Sequence, residues 1–265
     1  GDVRIGHWAR HLLRRLREEL HPRKLMRKAG GRHVDLLEDE AFMELYEACR
    51  PHTVTSAERM YALYRATRWI ARRGLPGAVV ECGVLRGGSM MLAALQLQRQ
   101  DDAHRDLWLY DTFTGMEEPG PKDESVFGLR PRPRWRRRQE EDHNRWGYAP
   151  LDEVRTNMES TGYPPDRVRY VRGRVQDTLP ERRPERVALL RLDTDWYEST
   201  RHELEHLYPR LVPGGILIVD DYGHWKGARR AVDEYLEGRE SPPFLHRIDY
   251  TGRMAVKPPG EEITG

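Results

Sequence analysis

Four aspartates stand at the ends of two apolar runs. Asp193 and Asp195 follow Val187 to Leu192, and Asp220 and Asp221 follow Ile216 to Val219. Read as buried strands of a parallel sheet, both runs deliver their acids at the C-terminal edge, where open α/β sheets hold their ligands. Alternation along an unbroken strand would send Asp220 and Asp221 to opposite faces, so both reach one point only if the strand stops there. Tyr222-Gly223 supplies that stop. Carboxylates this close raise one another's pKa, a cost that a divalent cation removes. Ligation by oxygen alone favours Mg²⁺ or another hard cation over zinc. The competing reading makes these acids helix caps or ion-pair partners of the many arginines.

A second constellation lies earlier. Glu81-Cys82-Gly83-Val84-Leu85-Arg86-Gly87-Gly88-Ser89 follows one apolar run and opens a helical pattern, the place where a doubly wound sheet binds nucleotides. Its glycines permit a tight turn and close approach of a ligand to bare backbone. The next run ends at Asp111, whose carboxylate can accept hydrogen bonds from both ribose hydroxyls. A turn followed by an acid one βα unit later suits an adenosine ligand without separating NAD from S-adenosylmethionine. Asp193-Thr194-Asp195 taken alone also fits a metal-dependent glycosyltransferase, but the tandem Asp220-Asp221 and the earlier glycine turn weigh against it.

The elements that must position these groups are read from periodicity. Short apolar runs at Ala78–Cys82, Leu107–Tyr110, Val168–Val171, Val187–Leu192 and Ile216–Val219 alternate with helical stretches near Ser89–Gln100, Leu151–Ser160, Thr200–Arg210 and Trp225–Glu237. This alternation predicts an α/β fold with a mostly parallel sheet covered on both faces. Phe244–Tyr250 and Arg253–Val256, joined around Thr251-Gly252, predict a terminal hairpin. Thr55-Ser56-Ala57-Glu58 and Thr200-Arg201-His202-Glu203 match the pattern that starts helices. Gly115 to Pro150, rich in Pro, Arg and acids, predicts a lid or a disordered loop. Residues 5 to 28 carry Trp8, Leu12, Leu16 and Leu20 at helical spacing among arginines, an amphipathic helix expected to pack on the body or on a second subunit. The expected organisation is therefore a helical appendage over residues 1–50 and a catalytic domain over 51–265.

Composition narrows the partners. Among 265 residues, 45 basic side chains nearly balance 43 acidic ones for a net charge of +2, so no global field marks a nucleic-acid or membrane partner. Two cysteines cannot build a disulfide framework, which fits a cytoplasmic protein.

Four segments together resemble the macrocin-type O-methyltransferases, which methylate deoxysugar hydroxyls on antibiotics. They are the Glu81–Ser89 turn, Tyr110-Asp111-Thr112-Phe113-Thr114-Gly115-Met116, Leu192-Asp193-Thr194-Asp195-Trp196-Tyr197-Glu198-Ser199-Thr200, and Val219-Asp220-Asp221-Tyr222-Gly223-His224-Trp225. The resemblance runs from about Val54 to Val256. It implies a Rossmann-like class I methyltransferase fold with a seven-stranded sheet, S-adenosylmethionine and Mg²⁺ as cofactors, and assembly into a homo-oligomer. It further implies Mg²⁺ on Asp193, Asp220 and Asp221. Asp195, Asp193 or His224 would be the base for a small-molecule glycoside acceptor, with a catechol or phenolic hydroxyl as the alternative. Glu81, Gly83, Ser89 and Asp111, with Thr53, Gly87, Thr112 and Asp193 beside them, would hold the methionine and ribose parts. Arg174, Val175 and Gln176 would neighbour the adenine. Trp135, Trp146, Tyr148, Trp196 and Trp225 fall in the segments expected to frame the acceptor, two or three of them touching it.

Overall fold

The computed structural model describes residues 34–260; the expected basic helix over residues 5 to 28 lies outside them. Contacts divide the chain into Gly1–Met43 and Glu44–Gly265, with the helix Glu40–Cys49 running across the division. No helix among the described residues is long and apolar enough to cross a membrane.

The second unit is built on seven strands: β1 (Ala78–Cys82), β2 (Leu107–Asp111), β3 (Val168–Arg172), β4 (Val187–Leu192), β5 (Leu211–Val219), β6 (His246–Arg247) and β7 (Arg253–Val256). Their order across the sheet is β3-β2-β1-β4-β5-β7-β6. Strands β1 to β5 pair in parallel, and β7 runs antiparallel to both β5 and β6. Every residue of β1 and β4 is buried, because helices cover both faces of the sheet. The chain winds outward from β1 through β2 to β3, then returns to place β4 on the other side of β1. The C-terminal ends of β1 and β4 thus flank the switch point, and Gly83 and Asp193 follow them.

Three elements differ from the sequence expectation. Strand β5 begins at Leu211, well before Ile216, because the register shift opposite Val187 and Leu189 accommodates Pro213 and Gly214 at a bulge. The helix expected at Thr200 starts at Tyr197, so Thr200 and Glu203 are buried inside it and do not cap it. The Asp123 Oδ1, more than seventy residues earlier, accepts from the Tyr197 amide at 2.8 Å instead. At the helix Ala57–Arg72 the cap is Ser56, whose Oγ accepts from the Arg59 amide, while the hydroxyl of Thr55 accepts from Arg191.

The segment from Gly115 to Pro150 is ordered and contains a short helix, Arg132–Arg138, that periodicity did not signal. Backbone pairs tie it to the rim of the sheet: Val126 N–H donates to the His224 carbonyl at 2.9 Å and Lys226 N–H to that of Glu124 at 2.8 Å. Trp135 Nε1 donates to the Met116 carbonyl at 2.7 Å and closes the segment on itself. Asp123 is its anchor. Besides capping Tyr197, it sits where Gly227 leaves room, since a Cβ there would lie 2.2 Å from Asp123 Oδ1. Replacing Asp123 by Ala should lower stability in urea denaturation by about 0.5–2 kcal/mol, the usual worth of a lost helix cap. It should also speed proteolysis within residues 115–150; unchanged cleavage there would mean that the other ties suffice.

Candidate functional site

The turn after β1 is shaped by what it touches. Gly83 has φ +82, and a Cβ on it would stand 2.0 Å from the Asp193 carbonyl oxygen, so only glycine lets the β1 turn lie against the acid-bearing loop. Asp111 braces the same turn. Its Oδ2 accepts from the amides of Val84 at 2.8 Å and Leu85 at 3.2 Å, and its Oδ1 from that of Phe113 at 2.8 Å. Burial pushes the Asp111 carboxyl up, and these amides oppose the shift. Leu85, Phe113 and Asp195, all near this edge, hold positive φ without being glycine, a backbone strain that gathers at functional sites.

The aspartates converge as their spacing predicts, because β5 ends at Val219. One ligand oxygen from each of Asp193, Asp220 and Asp221 lies within 4.8 Å of the other two. What the sequence reading did not anticipate is Arg191, a fully buried side chain within β4. It pairs with Glu81, with Asp193 Oδ2 at 2.8 Å and with Asp220 Oδ1 at 2.5 Å. Arg59, reaching in from the helix Ala57–Arg72, pairs with the other oxygen of Asp220. Asp220 is thus both the ion-pair partner of two arginines and a member of the cluster. A charged residue inside a strand buried on both faces is the signal that could have found Arg191, since a charge there requires partners.

Two guanidinium groups do not neutralise Glu81, Asp193, Asp195, Asp220 and Asp221. Burial pushes Asp221 up, followed by the charges of Asp195, Asp193 and Asp220, and no ion pair reaches it among the described residues. Its Oδ2 accepts from the Asp195 amide at 3.2 Å. Asp195 is pushed up to about 7, by burial first and the neighbouring Asp193 second, and its Oδ1 accepts from Trp225 Nε1 at 2.5 Å. Glu81 is pushed up to about 7 by burial, with Arg191 opposing.

The cleft between the two loops is lined by Gly83, Asp111, Thr112 and Val175 on one side and by Asp193, Asp195, Asp220 and Asp221 on the other. Thr53, Glu81, Gly87, Ser89, Arg174, Gln176 and His224 are not part of that lining. Ser89 is buried at the start of the helix Gly88–Arg99, and Gly87 caps that helix. Thr53 Oγ1 accepts from the Thr55 amide at 3.1 Å. Arg174 and Gln176 both approach Glu117, itself a lining residue absent from the expected set. His224 sits outside, its Nδ1 2.6 Å from the Tyr250 hydroxyl and its ring edge-on to Phe127. Of the five aromatics expected to frame an acceptor, Trp146 alone lines the cleft. Trp196 and Trp225 are buried behind it with ring centroids 5.0 Å apart, Trp135 closes the inserted segment, and Tyr148 stacks on His143.

Residues 48–256 match the family of macrocin-O-methyltransferases (TylF). The chain belongs to this family. It is 36% identical over 214 residues, 81% of its length and 73% of the relative's, to the 8-demethyl-8-(2,3-dimethoxy-alpha-L-rhamnosyl)-tetracenomycin-C 4'-O-methyltransferase of Streptomyces olivaceus. It is 34% identical over 206 residues, 76% of each chain, to the mycinamicin III 3''-O-methyltransferase of Micromonospora griseorubida. Among solved structures it resembles the O-methyltransferase NovP at 30% identity and a TM-score of 0.68, covering 78% of this chain and 82% of that one. A calicheamicin methyltransferase at 19% identity and a TM-score of 0.58, covering 96% and 94%, shares the fold. The protein is therefore an S-adenosylmethionine-dependent O-methyltransferase, and the glycosyltransferase reading falls away.

In this methyltransferase Arg191 holds three acids at once, so its loss would leave Glu81 and Asp220 buried without their shared counter-charge. Replacing Arg191 by Met should cost about 3–5 kcal/mol in chemical denaturation, the usual penalty for breaking a buried ion pair on one side. A cost within experimental error of zero would show that the acids relax or take up protons freely.

Proposed function

We propose that this methyltransferase transfers the methyl group of S-adenosylmethionine to a sugar hydroxyl of a glycosylated natural product, assisted by a divalent cation such as Mg²⁺. The observation that carries this reading is the convergence of Asp193, Asp220 and Asp221 beside Asp195, with more buried negative charge than Arg59 and Arg191 offset. An all-carboxylate set suits a hard cation, and Asp221, buried among like charges, gains most from one.

Glu81 Oε2 and Gln176 Oε1, outside the cleft lining itself, are buried with no hydrogen-bond partner among the described residues, two acceptors suited to the amino groups at the two ends of S-adenosylmethionine. Gly83, Asp111, Thr112 and Val175 line the cleft. The relatives named above act on hydroxyls of glycosylated antibiotics, which supports a glycoside as acceptor here.

When bound, the cation would polarise the acceptor hydroxyl and make its proton easier to remove. Asp195 is placed to collect that proton. Its backbone lies in the left-handed region at φ 67, which turns the residue back toward the cleft, and the Trp225 indole N–H fixes its carboxylate. Arg191 keeps Asp193 and Asp220 aimed at one point, while Met116 and Trp146 from the inserted segment line the cleft.

Two measurements test this reading. Chelation with EDTA should stop methyl transfer and added Mg²⁺ should restore it, as followed by mass gain of deoxysugar glycosides and of catechols incubated with labelled S-adenosylmethionine; full turnover in the chelator would refute the cation. Asp195→Asn should lower kcat by roughly 10²–10⁴-fold, the usual worth of a general base. Calorimetric binding of S-adenosylhomocysteine should stay close to that of the unaltered protein, and an unchanged kcat would remove Asp195 as the base.

A further inference from the structure

The helix Tyr197–Leu207 leaves the acid-bearing loop and carries His202, Glu203, Glu205 and His206 in its last two turns. Histidines four residues apart on a helix share one face, a spacing suited to gripping a single metal ion from two sides. One ligand atom from each of His202, Glu205 and His206 lies within 4.8 Å of the other two, and the imidazole centroids are 4.1 Å apart. We propose that these three side chains form a second metal site, for a borderline divalent cation such as zinc, separate from the aspartate cluster.

The donor chemistry separates the two sites. Imidazole nitrogens prefer zinc, copper or nickel, whereas carboxylates alone prefer magnesium or calcium. The nitrogens are available. His202 Nε2 is buried and has no hydrogen-bond partner. His206 Nδ1 lies 2.9 Å from the His202 carbonyl, and since a carbonyl only accepts, that nitrogen carries the proton and Nε2 holds the lone pair. The same bond orients the ring, as an outer partner does for a ligating histidine. Glu205 Oε1 accepts from Arg201 at 2.5 Å, and its other oxygen remains to complete the set.

The run His202-Glu203-Leu204-Glu205-His206 also has the spacing found in zinc peptidases, where the acid after the first histidine is the base. That chemistry is closed here. Glu203 turns to the opposite face, is fully buried, and accepts from the Thr194 hydroxyl at 2.8 Å. The metal would instead clip the last turn of the helix whose other face, through Glu203 and Thr194, supports the loop between Asp193 and Asp195.

The test is a calorimetric zinc titration of the full chain, carrying no affinity-tag histidines, in millimolar Mg²⁺. The expected result is saturable binding of one zinc per chain. His206→Gln and Glu205→Gln, both partly or fully exposed and each checked for folding by circular dichroism, should weaken it, the histidine variant by roughly 100-fold or more. Asp221→Asn should leave it intact. Absence of saturable binding would overturn the proposal, as would zinc binding that survives His206→Gln or vanishes in Asp221→Asn, because the ion would then sit in the aspartate cluster. Since none of these outcomes reads methyl transfer, failure here leaves the catalytic reading untouched.

Discussion

A guanidinium group with no access to solvent is costly unless several acids surround it, and Arg191 meets that condition at the centre of the sheet. Its position in β4 lets it reach Glu81 in the neighbouring β1 and Asp220 just past the neighbouring β5, so one side chain ties together the ends of three parallel strands. The direction in which Asp193 and Asp220 point follows from this attachment. Asp195 and Asp221 have no ion-pair partner among the described residues, and this excess of acids over guanidinium groups sets the edge of the sheet apart from the rest of the core.

The inserted segment depends on the same edge. Asp123 caps the helix that begins at Tyr197, Trp196 Nε1 donates to the Glu117 carbonyl at 3.0 Å, and Trp225 spans from the segment's bridge at Ser125 to the carboxylate of Asp195. Trp196 and Trp225, which read as ligand-framing aromatics, therefore serve first to join the inserted segment to the acid-bearing loops. Both of these buried indoles have their N–H satisfied by protein, as buried tryptophans require.

The sheet and its acids were legible in the sequence because both rest on local signals. The runs Ala78–Cys82 and Val187–Leu192 are bounded by turns and have the bounds that the structure shows, and the strand stop after Val219 follows from Tyr222-Gly223. What was not legible involves partners far apart in the chain. Asp123 and Tyr197 lie in segments with no periodic relation, and the box-like Thr200 to Glu203 pattern is outweighed by the burial of both residues. Arg191 and Arg59 look like ordinary members of a strand and an amphipathic helix until the sheet order brings Glu81, Asp220 and Asp249 to them. The arginine-rich stretch gave no hint of its short helix, since proline and repeated like charge both argue against one.

Gly83 has an effect that reaches beyond its own turn. With no side chain between its α-carbon and the Asp193 carbonyl, the two loops pack backbone against backbone, with no space between them to take up a shift of one alone. Thermodynamic linkage then makes the consequence symmetric. If a ligand held by one loop changes the affinity of the other loop for its own ligand, the reverse effect has the same factor, whichever ligand arrives first.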